Sequence, residues 1–171
     1  MVELKTATIG QGLMSIELDK IFSGTMPERV VVGLVANSRL NGHPNENPFL
    51  FQHFDFGHLT FLVNSRQYPR HAYEPNFTTG EYLREYYGIL ECIGLDTGNK
   101  AIARTPELWT NSRPLFVFRL NPSVLPSIPI IGSGHLILKF RQATPAALAV
   151  LIFSEVPKIA EIDQYRNITV A

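Results

Sequence analysis

The residues of this sequence best suited to chemistry are two histidines, an aspartate and an arginine. Two histidines and one carboxylate form the iron site of a class of oxygenases, which keep further ligand positions open for oxygen. In His53-Phe54-Asp55 the first and third side chains share a face if the segment is a strand, because side chains alternate along a strand. His135 would be the distal ligand, and Arg141 would bind the carboxylate of a cosubstrate.

The segment that carries His135 argues against this iron site. Leu136, Leu138 and Phe140 alternate along it and predict its inward face. His135 and Arg141 then point outward, whereas iron ligands must converge inside the protein. We therefore predict no catalytic residues, no metal and no cofactor, and we interpret His53 and Asp55 as hydrogen-bonding each other or loop amides.

The remaining histidines and serines lack companions at a useful spacing. His43, His58 and His71 show no ligand spacing and are interpreted as solvated or hydrogen-bonded side chains. Ser15 and Ser133 have no histidine and aspartate companions in the sequence, although spacing alone leaves a catalytic triad open.

Two segments are apolar at both odd and even positions, the two parities that point to opposite faces of a strand. This pattern predicts central strands that are covered on both faces. They are Arg29–Ala36 and residues 148–153. Residues 37–48 follow the first of them and collect Asn, Ser, Gly and Pro, which predicts a long surface loop.

Other strands are predicted from alternation and from β-forming residues. In Val2–Ile9, Val2 and Leu4 share one parity and Glu3 and Lys5 the other, the pattern of a half-exposed strand. Further strands are expected at residues 49–56, 58–63, 115–120 and 136–141, with a hairpin turn at residues 64–66 and one more strand in residues 159–170. Residues 121–134 contain three prolines and predict a loop or an edge segment, and residues 95–114 are polar and irregular.

One helix is predicted, over residues 78–93. A threonine lies three residues ahead of Glu81, as in a capping box, and Gly94 suits a left-handed stop. Gly88 inside the helix costs roughly 1 kcal/mol relative to alanine, so packing is expected to require a small residue there. Arg84 and Glu85 form either an intersubunit ion pair or part of a solvated helix face.

Together these elements predict an all-β fold: one domain over residues 1–171, a jelly-roll sandwich of two antiparallel sheets with one inserted helix at about 78–93.

Fifteen basic and fifteen acidic residues leave no net charge, which excludes a global field for nucleic acid or an anionic membrane. The charged fraction of 18% is below the usual value of roughly 25%, as expected if surface is hidden in an assembly or forms an exposed adhesive face.

Cys92, the single cysteine, lies beside apolar residues and is interpreted as a small buried hydrophobe. The sequence has no secretion signal and no apolar run of roughly 18 residues, the length that spans a membrane. We therefore expect an intracellular chain, in cytoplasm or nucleus, unless it is part of a particle.

Short motifs along most of the chain carry a family resemblance. Residues 33–53 include Asn47-Pro48-Phe49 and lead into His53-Phe54-Asp55. The others are Gln67-Tyr68-Pro69, Pro75-Asn76-Phe77, Tyr82-Leu83-Arg84-Glu85-Tyr86, Glu161-Ile162-Asp163 and Arg166-Asn167. In these motifs the chain resembles the carboxy-terminal half of the major capsid proteins of Polinton (Maverick) elements and adintoviruses. Members of that family have two jelly rolls in one chain and form pseudo-hexagonal trimers, whereas this chain has room for one.

The resemblance implies a structural protein of a virion: a homotrimer that assembles into a capsid, with a penton or other capsid protein as a further partner. The charge balance and the lack of a long apolar run predict no specific nucleic-acid binding and no membrane binding. Long loops in compact domains usually have a function, so residues 37–48 and 95–114 are the expected contact segments. The candidate contact residues are Asn41, Pro44, Asn47, Trp109 and Arg113. The alternatives are a domesticated, capsid-derived module that binds a protein or glycan and, third, the iron-dependent oxygenase.

Overall fold

The computed structural model describes residues 1–42, 44–95, 105–112, 114–120, 130–157, 160–163, 165–166 and 168–170. The strands are β1 (Val2–Ile9), β2 (Ser15–Thr25), β3 (Arg29–Ala36), β4 (Phe56–Val63), β5 (Arg66–Tyr73), β6 (Leu115–Arg119), β7 (Ile131–Phe140), β8 (Leu148–Glu155), β9 (Ala160–Ile162) and β10 (Ile168–Val170). The helices are α1 (Asn37–Leu40), α2 (Leu83–Cys92) and α3 (Pro106–Ser112).

Eight strands form two antiparallel sheets of four strands each. The A sheet has the order β1-β8-β3-β6, and the B sheet has the order β2-β7-β4-β5. The antiparallel partners are therefore nested along the chain: β1 with β8, β2 with β7, β3 with β6 and β4 with β5. This nesting is a long hairpin rolled into two layers, the jelly-roll arrangement, and it confirms the predicted fold class.

The core lies between the inward faces of the two sheets. β3 and β8 are the inner strands of the A sheet, as their apolar sequences predict. The prediction that they are covered on both faces is wrong, because Val31 and Leu151 are only half-buried and Phe153 is 36% exposed on the outer side of the sheet. The inward parities predicted for the other strands are also confirmed, because the side chains on them are buried. They are Leu59, Phe61 and Val63 of β4, Phe116 and Phe118 of β6, and Leu136, Leu138 and Phe140 of β7.

The hairpin between β4 and β5 forms where it is predicted. Asn64 and Ser65 make a two-residue turn in which both have positive φ, 49° and 65°. Such a turn matches the twist of the strands on either side of it. The strand predicted at residues 49–56 is wrong, because Phe54 and Asp55 also have positive φ, 48° and 51°, which reverses the chain. β4 therefore begins only at Phe56.

The predicted helix is present but begins later, at Leu83. The predicted capping box does not form, because the N-cap residue is Tyr82 and no side chain caps the helix there. Glu81 Oε2 accepts instead from the hydroxyl of Thr79 at 2.8 Å. Reciprocal backbone hydrogen bonds between Asn76 and Glu81 close a small loop before the helix. The predicted stop is confirmed: Gly94 has φ 70° and donates its amide hydrogen to Glu91 O.

Several other segments depart from prediction. α3 occupies part of the stretch predicted to be irregular, and Trp109 attaches it to the core. β9 and β10 pair with each other. β7 begins at Ile131, inside the proline-rich stretch whose residues 121–129 lie outside the described residues. Cys92 is buried as predicted, and burial raises the pKa of its thiol.

Candidate functional site

The predicted iron ligands are not brought together. His53 and Asp55 lie just before β4, whereas His135 pairs with Leu62 near the far end of that strand. A separation of six strand residues corresponds to roughly 20 Å. Within the described residues, no group of three or more His, Cys, Asp or Glu side chains is arranged to hold a metal ion.

The side chain of His53 is held by contacts within the turn that precedes β4. Its Nδ1 accepts a hydrogen bond from the backbone amide of Asp55 at 3.0 Å, and its ring stacks on Phe77 with centroids 3.9 Å apart. Burial lowers the pKa of His53, and the neighbouring Asp55 carboxylate opposes that shift in part. The expected hydrogen bond to a loop amide is therefore confirmed.

His135 lies on the outward face of β7, as its parity predicts, but it has two polar companions there. Its Nδ1 lies 3.0 Å from Asp19 Oδ1, and its Nε2 lies 3.2 Å from Ser133 Oγ. Sequence spacing hides this cluster, because Asp19 is 116 residues away from His135. The one available signal is the loss of alternation near Asp19, where β2 has an irregular register.

Arg84 is exposed, as the solvated-face interpretation predicts, whereas Glu85 is buried and does not belong to a solvated face. Arg84 donates to the carbonyl oxygens of His71 and of Ala72, the latter at 2.7 Å. Glu85 is 3% exposed and accepts the backbone amide of Glu74 at 3.1 Å. Burial raises the pKa of Glu85. Both side chains therefore attach α2 to the end of β5.

Three of the five candidate contact residues lie on the surface. Asn41, Pro44 and Asn47 are exposed on the loop between β3 and β4. Two side chains hold that loop: Ser38 Oγ donates to Glu46 Oε2 at 3.1 Å, and Arg39 Nη1 donates to Leu50 O at 3.4 Å.

Trp109 cannot make the surface contact expected of it in this structure. It is 5% exposed, and its ring packs edge-on against Phe116 with centroids 5.4 Å apart. α3 places the indole in the core, where its large apolar area is removed from water. Arg113 lies outside the described residues.

The surface that the sequence did not reveal is the outer face of the A sheet. On β1 the apolar parity points to solvent: Val2 is 59% exposed and Leu4 62% exposed. The charged parity turns toward the sandwich, where Lys5 Nζ donates to Ile21 O at 2.5 Å and lies 4.5 Å from the centroid of Phe22. Solvation by water favours exposed charged side chains and buried apolar ones, so the orientation of β1 is the reverse of the expected one.

The neighbouring strands extend the exposed apolar surface. Leu4 pairs with Phe153, which is 36% exposed and pairs in turn with Val31. In the next row Leu151 lies between Thr6 and Gly33. We call Val2, Leu4, Val31, Leu151 and Phe153 the apolar face.

The borders of the apolar face are formed by an aromatic loop and an ion pair. The ring of Phe51 lies over Gly33, so closely that a Cβ there would meet it at 2.8 Å. At the other end Arg29 and Glu155 form an ion pair at 3.5 Å.

The outer face of the B sheet is mostly polar by contrast. It carries Glu17, Ser23, Ser133, His135 and Lys139 at outward positions of β2 and β7. One strongly exposed aliphatic residue, Ile131, lies on it at 74% exposure. The two outer surfaces of the sandwich therefore differ in chemistry, one apolar and one mostly polar.

In the described part of the chain, no helix has the length and apolar character needed to cross a membrane. No protein-family model matches the sequence, and searches of curated proteins and of solved structures gave no match either.

Proposed function

We propose that this protein is a structural jelly roll that self-assembles through the apolar face, in the manner of the capsid proteins it resembles. The observation that carries the proposal is the orientation of β1. Its leucine and valine face solvent while its lysine and glutamate face the sandwich. Exposed apolar surface on an edge strand is costly in an isolated molecule and favourable when a partner covers it.

A second copy of the chain fits this surface in its chemistry. Specific interfaces have an apolar centre and a polar rim. The apolar face supplies such a centre, and Arg29 and Glu155 supply both signs of charge at its rim. A protein without net charge also meets no overall repulsion from its own copies.

The apolar face is the centre of the proposed contact and not the whole of it. With strands about 4.8 Å apart and a rise of about 3.3 Å per residue, three strands and five residues cover a plane of about 240 Å². Stable interfaces bury about 800 Å² of accessible surface per partner. The contact therefore includes the loop that carries Phe51 and other surface around the apolar face.

The resemblance favours a trimer as the oligomer. In a ring of three, each copy presents its apolar face to a different surface of the next copy, and we propose that the mostly polar outer face of the B sheet is not that surface. The loop with Asn41, Pro44 and Asn47 borders the apolar face through Phe51 and is then part of the contact. Placement in a virion and contact with a penton or other capsid protein follow from the same resemblance.

Native mass spectrometry and light scattering over a wide range of protein concentration test the proposal. We expect the mass to rise from one chain to three chains as concentration increases, because association through an apolar face follows mass action. A strictly monomeric chain at the highest concentration would contradict self-assembly and would favour the alternative, a capsid-derived module that binds another protein or a glycan.

A further inference from the structure

We propose that Ser133 is a nucleophile that accepts acyl groups from activated esters, with His135 as its general base and Asp19 as the residue that positions the base. This inference is independent of self-assembly, since it concerns the outer face of the B sheet. The proposal is based on two contacts, one between Asp19 and His135 and one between His135 and Ser133.

The positions of the protons follow from the contacts. An ionised carboxylate can only accept, so the contact of 3.0 Å between Asp19 Oδ1 and His135 Nδ1 requires the proton on Nδ1. The amide of Lys20 also donates toward Nδ1, which would require an unprotonated Nδ1, but at the longer distance of 3.4 Å. We propose that the shorter contact to Asp19 sets the tautomer. With Nδ1 protonated, Nε2 is the acceptor, and the hydroxyl of Ser133 donates to it across 3.2 Å. This is the arrangement that activates a serine in Ser-His-Asp triads.

The sheet builds this arrangement with an irregularity. Ser133 and His135 share a face because they are two residues apart on β7. Leu18 pairs with Leu136 and Phe22 pairs with Gly134, so the three residues 19–21 of β2 face one residue, His135. Lys20 adopts φ 49° inside this bulge. Bulges and left-handed residues concentrate near functional sites, because they redirect a side chain at an energetic cost.

The surroundings of Ser133 set the class of substrate. The site is exposed to solvent, so we expect it to select substrates by the reactivity of the ester more than by the shape of the acyl group. Ile131, two residues earlier on the same face, is 74% exposed and gives an apolar surface for a short acyl chain. The amide of Ser133 donates to Asn64 Oδ1 at 3.1 Å and does not point at a bound oxyanion. Without that donor both acylation and hydrolysis are slow, so the substrate must be an activated ester. Its leaving group departs more readily than the serine oxygen of the product, so we expect acylation of Ser133 to be faster than hydrolysis and the acylated serine to accumulate.

Acylation of Ser133 exchanges one carbon–oxygen bond for another. Ser133 Oγ bonds to the carbonyl carbon of the ester, and its proton passes to His135 Nε2. The bond from that carbon to the leaving oxygen breaks, and the leaving group takes the proton from His135. No electrons are transferred to or from an outside agent, and His135 returns to its neutral form beside Asp19.

The test uses the full chain with two probes, p-nitrophenyl butyrate and a fluorophosphonate. We expect one covalent adduct per chain by intact mass, and peptide mapping should place it on Ser133. The result does not depend on any variant folding. Absence of an adduct, or an adduct on another residue, would overturn the proposal.

Variants then separate catalysis from structure. Ser133→Ala should abolish labelling, whereas Ser23→Ala, at the serine paired with it on β2, should leave labelling unchanged. His135→Gln should slow labelling by roughly 100-fold or more, the usual contribution of a general base. Asp19→Asn should slow labelling and change its pH profile, and Asp19→Glu should restore part of the rate. Equal rates in the wild type and the His135→Gln variant would contradict a general-base role.

Discussion

Leu4→Glu is expected to leave the chain folded and to abolish its self-association. Leu4 is 62% exposed and points away from the core, so the substitution removes little packing within the monomer. In the oligomer a carboxylate would enter the centre of the apolar face opposite Phe153, without a partner of opposite charge. Burying an unpaired charge costs several kcal/mol, which corresponds to a weakening of association by 100-fold or more. Native mass spectrometry should therefore show one chain at concentrations where the wild type shows three.

The matched control for that experiment is Ile131→Glu. Ile131 is also a strongly exposed aliphatic residue on a strand, but it lies on the outer face of the B sheet. It should keep the mass of the wild type, because the proposed contact does not include that face. If both variants keep the wild-type mass, or if both lose it, the apolar face is not the specific site of contact.

Gly88→Ala is expected to lower the free energy of unfolding by about 1–3 kcal/mol. A Cβ at Gly88 would lie 2.5 Å from the hydroxyl oxygen of Tyr73, which is too close for any real contact. That hydroxyl donates to Val117 O at 2.8 Å inside the protein, so it cannot move without breaking a buried hydrogen bond. The gain in helix propensity, about 1 kcal/mol, offsets only part of the overpacking. Chemical denaturation of the two proteins measures the difference.

A second substitution identifies the cause of that loss. Tyr73→Phe alone should cost about 1 kcal/mol, because it leaves Val117 O without its donor. In the double variant the nearest ring atom is 3.3 Å from the new methyl group, so the clash is largely relieved. The double variant should be more stable than the sum of the two single effects predicts. Additive effects would show that Gly88 is needed for another reason.

The inner strands of the fold could be predicted from sequence because their inward positions are buried and both of their edges are paired. Val30, Val32 and Leu34 are buried between the two sheets, and the apolar residues between them on β3 face the outer side of the A sheet. The same holds for Phe116 and Phe118 on β6. The turn at Asn64 and Ser65 could also be predicted from sequence, because residues of these types favour the left-handed backbone conformation that the turn requires.

The surfaces of the fold were harder to predict than its inner strands. Alternation separates the two faces of an edge strand, but it does not show which face points inward. Leu4 and Lys5 alternate as any half-exposed strand does, and only the tertiary structure shows that Leu4 is the outward residue. The cluster of Ser133, His135 and Asp19 depends on a bulge and on strand pairing across most of the chain. Trp109 was misplaced because a single aromatic residue in a polar stretch gives no periodicity to interpret.

The most direct test of the account measures whether neighbouring copies cover position 4. In a Leu4→Cys variant the new thiol is exposed in the monomer, and the native Cys92 is buried with a raised pKa, so a maleimide reagent should report on position 4. We expect its alkylation rate to fall at least tenfold as concentration brings the chain into its oligomer. An Ile131→Cys variant should keep its rate. A thiol at position 4 that reacts equally fast in monomer and oligomer would contradict assembly through the apolar face.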